Sequence, residues 1–362
     1  MSFSDIRDQE VAVRLLQQIL RSGRIPNAML FLGPGGVGKA LAALEMAKAV
    51  NCTERPDDAC DQCLQCRKVD HGNHPDVRIV VPKGTSRSIR TNVISEINEI
   101  CSLRPYESEW RTVVIQDADR MNATAQNHFL KMLEEPPGQT LFILLSEYPR
   151  ELLPTIRSRC QAVRFRTLRR ETVSALLQRE RDLTPEKADS IAGLSQGRMD
   201  RALEFLDSDK RDIALYIVAK LKEGMDPVEL SEEFAKRLAT QRKEIEAAID
   251  AELNIDPDET LGAEEKQAQK ELRLAHTAAA VRRGILDYLY LLETWYRDEM
   301  VYAATHEEGK ILNQDHLDGF RDHLSTAPEK KIQAVEKARY YLDRFVNEER
   351  VFRDLFFALA AE

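Results

Sequence analysis

Residues 33–40 read GPGGVGKA and follow a short apolar run, AMLFL. Gly33, Gly35, Gly36 and Gly38 allow backbone N–H groups to turn inward as a cradle for phosphate oxygens, and Lys39 can reach β- and γ-phosphates. A helix beginning near Gly38 would present its positive end to the same place. Such loops close on Ser or Thr, whose hydroxyl ligates Mg²⁺. Here that position is Ala40. A second acidic station lies in TVVIQDADRMN, where an apolar strand ends at Asp117. Asp117 can hold Mg²⁺ directly or through water. The next position, normally a glutamate that activates the attacking water, is Ala118. Asp119 comes one residue later, and along an extended chain it points to the opposite face. Two parts needed for hydrolysis are thus missing from places expected to converge. The pair points to a site relieved of catalysis, in which binding of ATP or ADP with Mg²⁺ stays open.

A second constellation is NCTERPDDACDQCLQC. Cys52, Cys60, Cys63 and Cys66 stand with seven, two and two residues between them. Four thiolates within so short a span suit tetrahedral Zn²⁺. The C-x2-C-x2-C run also occurs in iron–sulfur sites, which is the rival reading. A closed set of four thiolates leaves no position for substrate, so the metal is structural. His71 and His74 lie close by, but four thiols suffice and these two read as structural. Cys101 and Cys160 read as ordinary thiols.

The surrounding elements must place these groups. Apolar runs at 28–32, 77–81, 112–115, 141–145 and 162–165 read as buried strands. Helical patterns fit 39–50, 91–102 and 122–133 between them, which implies a mostly parallel sheet covered by helices. After about 168 the pattern is helical throughout, first in short pieces at 170–179 and 184–194. Later, Ile332, Val335, Ala338, Leu342 and Phe345 form one stripe on a long helix. A densely charged stretch at 242–271 reads as an exposed helical excursion, broken near Pro257 and Gly262. The expected domains are therefore 1–166 (α/β, with the cysteine module at 52–66), 167–208 (a helical lid) and 209–362 (all-α).

The 362 residues are 43% apolar and 31% charged, with a net charge of −9. That composition fits a chain with a real core, and it argues against an independent nucleic-acid binder, which carries a basic excess. No run of about 18 apolar residues marks a membrane span, and the polar start MSFSDIRDQE is no secretory signal. A reducing cytoplasm is the expected compartment, with the cysteines unpaired.

Taken together, GPGGVGK, the four-cysteine insert, GNHPDV, the DADRMNATAQNHFLKMLEEPP block and LLPTIRSRC resemble the clamp-loader AAA+ subunits of bacterial DNA polymerase III. The match is nearly continuous from about Asp5 to Cys160 and weaker beyond. The resemblance implies a RecA-like P-loop domain with a zinc insert, then a lid and a C-terminal collar that oligomerises. The two alanines set the chain apart from the family's gamma/tau motors, so its own ATPase activity is expected to be weak or absent. The resemblance makes Arg159 of the SRC motif an arginine finger that acts in trans on a neighbour's ATP. It makes Ser146 a first sensor, and either Arg201 or Arg198 a second. Partners follow in the same way: gamma/tau-type subunits, the delta subunit, indirectly the sliding clamp, and primer-template DNA. Lys83, Arg87 and Arg90, just before a helix start, would be its DNA contacts, against the plainer reading of a solvated loop.

Overall fold

In a computed structural model, the structure describes residues 2–82, 88–136, 138–252, 263–322, 324–344 and 346–361. The chain divides into two compact units, one of 1–172 with 197–200, the other of 173–196 with 201–362.

The first unit is built on five parallel strands: β1 (Ala28–Leu32), β2 (Val77–Val80), β3 (Arg111–Ile115), β4 (Thr140–Ser146) and β5 (Gln161–Arg164). They lie in the order β2-β3-β4-β1-β5. Every residue of β3 and β4 is buried, as expected of central strands covered on both faces. Alternation decides which face each residue serves. Met29, Phe31, Ile143, Leu145 and Val163 pack with α1 (Glu10–Ser22) and α2 (Lys39–Ala49). Leu30, Val113, Ile115, Phe142 and Leu144 face the other way. Their neighbours are α4 (Thr91–Ser102) and α5 (Ala123–Glu134), with Ile156 from α6 (Pro154–Arg159). A short α3 (Leu64–Asp70) belongs to the cysteine module. Pairing of Leu32 with Ser146 and of Ile115 with Leu144 brings the carboxyl ends of β1, β4 and β3 side by side. Ligands of open parallel sheets bind at such ends.

Asp76 fixes the entry to this sheet. It is buried and accepts from the amides of Tyr106, Glu107 and Ser108 at 2.6, 2.9 and 3.1 Å. The Ser108 hydroxyl adds a bond at 2.9 Å and Arg111 Nη2 one at 3.4 Å. Burial pushes this carboxyl up, but the amide and hydroxyl bonds together outweigh it and hold Asp76 below the usual carboxylate range. A depressed folded pKa gives stability that is present above about pH 4, the unfolded value, and is lost as pH falls through the folded value. Asp76→Ala strands several buried donors. Denaturant titration at pH 7 should show a loss of about 3 kcal/mol, and the variant should lose part of the wild-type acid transition.

The second unit is helical. Among the described residues, everything after β5 is helix and connecting turn. Its elements are α7 (Arg170–Arg181) and α9 (Met199–Asp207), whose first residues belong to the first unit, with α8 (Pro185–Leu194), α10 (Lys210–Lys222), α11 (Pro227–Glu252), α12 (Ala263–Thr305), α13 (Asp318–Asp322), α14 (Pro328–Asp343) and α15 (Glu348–Ala360). Phe234 of α11 meets Tyr288 of α12 and Phe352 and Phe356 of α15 at ring-centroid distances of 5.2, 4.6 and 5.7 Å. Arg211 forks onto Asp315 with bonds of 2.7 and 2.6 Å, largely out of solvent. On α14 the expected stripe is buried at Val335, Ala338 and Leu342 and half-buried at Ile332. Phe345 lies outside the described residues. The charged stretch runs into α11 on one side and α12 on the other, and the expected break near Pro257 and Gly262 also lies outside them. No helix among the described residues is long and apolar enough to cross a membrane.

Candidate functional site

The glycine loop leaves β1 and feeds α2. Gly38, at φ 97°, caps α2 in the left-handed region that a side chain would strain. Gly33 approaches the β5 exit so closely that a Cβ there would lie 2.5 Å from the Phe165 carbonyl oxygen. Its N–H donates to the Ser146 carbonyl at 3.2 Å. Gln9 braces the loop from the N-terminal side. Its side-chain NH₂ donates to the carbonyls of Arg166 (2.7 Å) and Val37 (3.3 Å), and its Oε1 accepts from the Arg166 amide at 2.9 Å. Lys39 turns back on its own loop. Nζ donates to the Gly33 carbonyl at 2.6 Å and to the Pro34 carbonyl. Burial lowers its pKa, while Glu147, Asp117 and Asp200 pull it the other way.

Asp117 and Ser146 stand beside the loop at the ends of β3 and β4. Asp117 has a left-handed φ of 46° and faces Arg120, with Nε to Oδ2 at 3.9 Å. Ser146 is buried, and its Oγ has no hydrogen-bond partner among the described residues. Ala40 is exposed at the start of α2 and Ala118 is fully buried. The chain after Asp117 is a tight 3-10 turn, Ala118–Arg120, and not extended. The opposite-face expectation for Asp119 therefore does not hold, because period-two alternation stops with the strand. Asp119 Oδ1 instead accepts from the Glu147 amide at 3.2 Å, which ties β3 to β4.

Arg198 and Asp200 also stand at the loop. Arg198 Nη2 and Nε donate to the Asp200 carboxylate at 2.9 and 3.3 Å, and Nη1 donates to Glu147 at 2.7 Å. These contacts, the Asp200 bond foremost, raise the Arg198 pKa. Arg201 lies in the second unit, its guanidinium 4.1 Å from the ring centroid of Tyr290 and 5.0 Å from that of Phe205. Of the two arginines considered for the second sensor, Arg198 belongs to the first unit, where it pairs with Asp200 and Glu147. Asp200 and Glu147 escaped the reading of the sequence. Asp200 stood in GRMDRAL between the two arginines, and its charge was the available signal.

Arg159 ends α6. Its Nη2 pairs with Glu134 Oε1 at 2.9 Å and its Nη1 donates to the Thr155 carbonyl at 3.2 Å. The side chain is 39% exposed, so the guanidinium can exchange this partner for another. Arg90 is exposed at the N-cap of α4. Lys83 and Arg87 lie outside the described residues.

The four cysteines converge. All four sulfurs lie within 4.8 Å of one another, and Cys60 and Cys66 are 3.9 Å apart. Tetrahedral zinc–thiolate bonds of about 2.3 Å place sulfurs roughly 3.8 Å apart, so the donor set fits a four-thiolate metal site. Two amides already point at sulfur: Cys63 N–H donates to Cys60 Sγ at 3.2 Å and Cys66 N–H to Cys63 Sγ at 3.5 Å. Burial raises the Cys63 thiol, but the amides of Cys66 and Thr53 pull it down to about 6. Lys48 of α2, fully buried, anchors the module through Asp61 at 2.6 Å and Asp70 at 3.0 Å, and holds Glu45 at 2.9 Å. Both histidines are used elsewhere. His74 donates through Nε2 to Gln65 at 2.7 Å and accepts the Asp76 amide on Nδ1 at 3.0 Å, and His71 meets the Arg67 carbonyl at 2.6 Å.

The family model described as DNA polymerase III, delta subunit, matches residues 8–169. A DNA polymerase III delta-prime subunit from Bacillus subtilis is 35% identical over 221 residues, 60% of this chain and 66% of that protein. Its counterpart in Pseudomonas aeruginosa is 35% identical over 136 residues, 37% of this chain and 41% of that protein. A DNA polymerase III tau subunit from Bacillus subtilis is 31% identical over 211 residues, 57% of this chain and 37% of that protein. The chain thus spans less than two thirds of the length of these relatives. Among solved structures, a DNA polymerase III gamma subunit-related protein from Thermotoga maritima shows 18% identity and a TM-score of 0.37, covering 75% of this chain and 99% of that one. That likeness is too low to bear on the assignment. The sequence matches are thus to DNA polymerase III subunits, and among these the delta-prime subunits are the relatives that the matches support best.

Proposed function

We propose that the chain is a stator subunit of the bacterial clamp loader. In this reading it completes a heteropentamer with gamma/tau-type and delta subunits, which opens the sliding clamp and places it on primed DNA. The division into a RecA-like domain (1–166), a lid (167–208) and a collar (209–362) belongs to the same reading. Arg159 serves the adjacent motor subunit, where its guanidinium meets the γ-phosphate of that neighbour's ATP. Ser146, Asp117 and the loop with Lys39 are what remains of the chain's own nucleotide site. The metal at Cys52, Cys60, Cys63 and Cys66 is zinc. Arg90, with Lys83 and Arg87, is a DNA contact shared with other subunits, which reconciles a net charge of −9 with DNA at the centre of the assembly.

One observation carries the reading: an arginine on a helix end, held among the described residues only by surface partners, in a chain whose own nucleotide site lacks both its Mg²⁺-binding hydroxyl and its catalytic glutamate. The test is a pair of substitutions in the reconstituted complex. Lys39→Ala should leave steady-state ATP hydrolysis within about twofold of wild type, since in this reading the complex hydrolyses ATP at the motor subunits and not at this chain's own loop. Arg159→Ala should be the damaging change. The opposite pattern would make the chain a gamma/tau-like motor.

A further inference from the structure

The phosphate loop of this chain already has an anion against it. A Cβ built on Gly35 would lie 2.1 Å from Asp200 Oδ2, and one on Gly36 would lie 2.6 Å from Oδ1 and 2.3 Å from the Asp200 backbone nitrogen. Only glycine admits so close an approach, and at φ 65° Gly36 also holds a left-handed turn. The contact is reinforced on both sides. The Met199 amide donates to the Gly36 carbonyl at 3.2 Å, and Arg198 holds the same carboxylate with two nitrogens. Glycine loops of this kind normally turn their amides to phosphate oxygens, and a carboxylate is the side chain nearest to phosphate in charge and acceptor geometry.

The charges at the loop already have partners. Asp117, Glu147 and Asp200 act on Lys39, Arg198 holds Asp200 and Glu147, and Arg120 faces Asp117. A triphosphate would have to displace Asp200 and part it from Arg198, and it would still meet Asp117 without the hydroxyl that normally helps hold Mg²⁺.

We propose that Asp200 is a tethered anion that closes the phosphate loop against nucleotide, making the loop a socket for the segment 197–200. This goes beyond the stator reading, which leaves nucleotide binding open, and it does not depend on Arg159. A site closed by its own side chain binds ligand only for the fraction of time the side chain is out, and apparent affinity falls by that fraction.

The experiment uses the full chain, with ATP and a fluorescent ATP analogue, with and without Mg²⁺. Wild type should show neither analogue binding nor a melting shift in about 1 mM ATP, the shift that any ligand of the native state alone would cause. Asp200→Ala and the near-isosteric Asp200→Asn should each bind at least about tenfold more tightly than wild type. Adding Lys39→Ala to Asp200→Ala should cancel the gain, which places the new binding at the loop. The proposal is overturned if wild type binds as tightly as either variant, or if both variants fold with wild-type melting midpoints and gain nothing. Should Asp200→Ala fail to fold, Asp200→Asn carries the comparison. The wild-type measurement alone overturns the proposal if it yields micromolar affinity. None of these outcomes bears on Arg159, whose role is read from hydrolysis in the complex.

Discussion

Replacing Arg159 with alanine should slow hydrolysis at the neighbouring subunit's ATP site by about 10³-fold, the lower end of what arginine fingers contribute in GTPases. Such a loss corresponds to about 4 kcal/mol of transition-state stabilisation. Nothing Arg159 does within its own chain approaches that magnitude. Its pairing with Glu134 joins two side chains that are 39% and 51% exposed, and exposed pairs are worth about 0–1 kcal/mol. The variant should therefore fold and assemble as wild type does, and the defect should appear only in the chemistry. Arg159→Lys separates charge from geometry. The ammonium keeps the charge but loses the planar fork that spreads donors over several phosphate oxygens, so it should restore little of the rate. Single-turnover hydrolysis in the reconstituted complex, with assembly checked by size-exclusion chromatography, reads both. A wild-type rate in an assembled Arg159→Ala complex would remove the arginine finger, and with it the reason for calling this subunit a stator.

The parallel sheet was legible because its central strands β3 and β4 are fully buried, whereas the expectation of burial fails at the edge strands β2 and β5, which are largely exposed. Runs such as LFILL and TVVI need apolar residues on both faces, and between helical stretches they have little alternative. The five expected strands are the five observed, within two residues at each end. The loop GPGGVGKA and Asp117 were legible for a related reason: each sits at a strand end, and neighbouring strands bring those ends together. The four cysteines were legible because ligand spacing is local. Asp119 was misread because the strand stops at Ile115 and the backbone turns at Asp117, an event that a period-two pattern does not contain. Asp200 was missed for a deeper reason. It lies far along the chain from Gly35 and Gly36, and whether its carboxylate meets the loop depends on how α9 begins. A shift of one residue along a helix moves a side chain about 100° around its axis. GRMDRAL offers both charges, and composition does not choose between them.

Removing the metal from the cysteine module should be the most damaging perturbation to the first domain. The four sulfurs lie within 4.8 Å of one another, and Cys66 is buried. Thiolates packed so closely repel one another unless a cation sits among them, and Cys63 is already drawn towards the thiolate form. Little else folds this segment. Residues 52–63 have no helix or strand of their own, and their apolar contribution to the core is little more than Ala59. The protein ties that hold it are polar, from Lys48 to Asp61 and Asp70, from Arg21 to Asp57 and from the Phe3 amide to Asp58. Structural zinc contributes about 10–16 kcal/mol to the folding of small finger peptides. Here much of that would be absorbed by local unfolding of the module, but a residual loss of about 3 kcal/mol would lower the domain's midpoint by roughly 6–12 °C. Cys66→Ser should act as chelation does, because it removes one ligand of four at the buried position. Metal analysis of the purified chain and the thiolate-to-metal absorption of a cobalt-substituted sample check the ligand set. Hydrogen exchange then locates the damage. Protection should be lost across residues 52–70 and kept in β3 and β4, whose burial does not depend on the module. A chain that contains no metal as purified, or one whose melting midpoint ignores a strong chelator, would leave the cysteines as ordinary thiols.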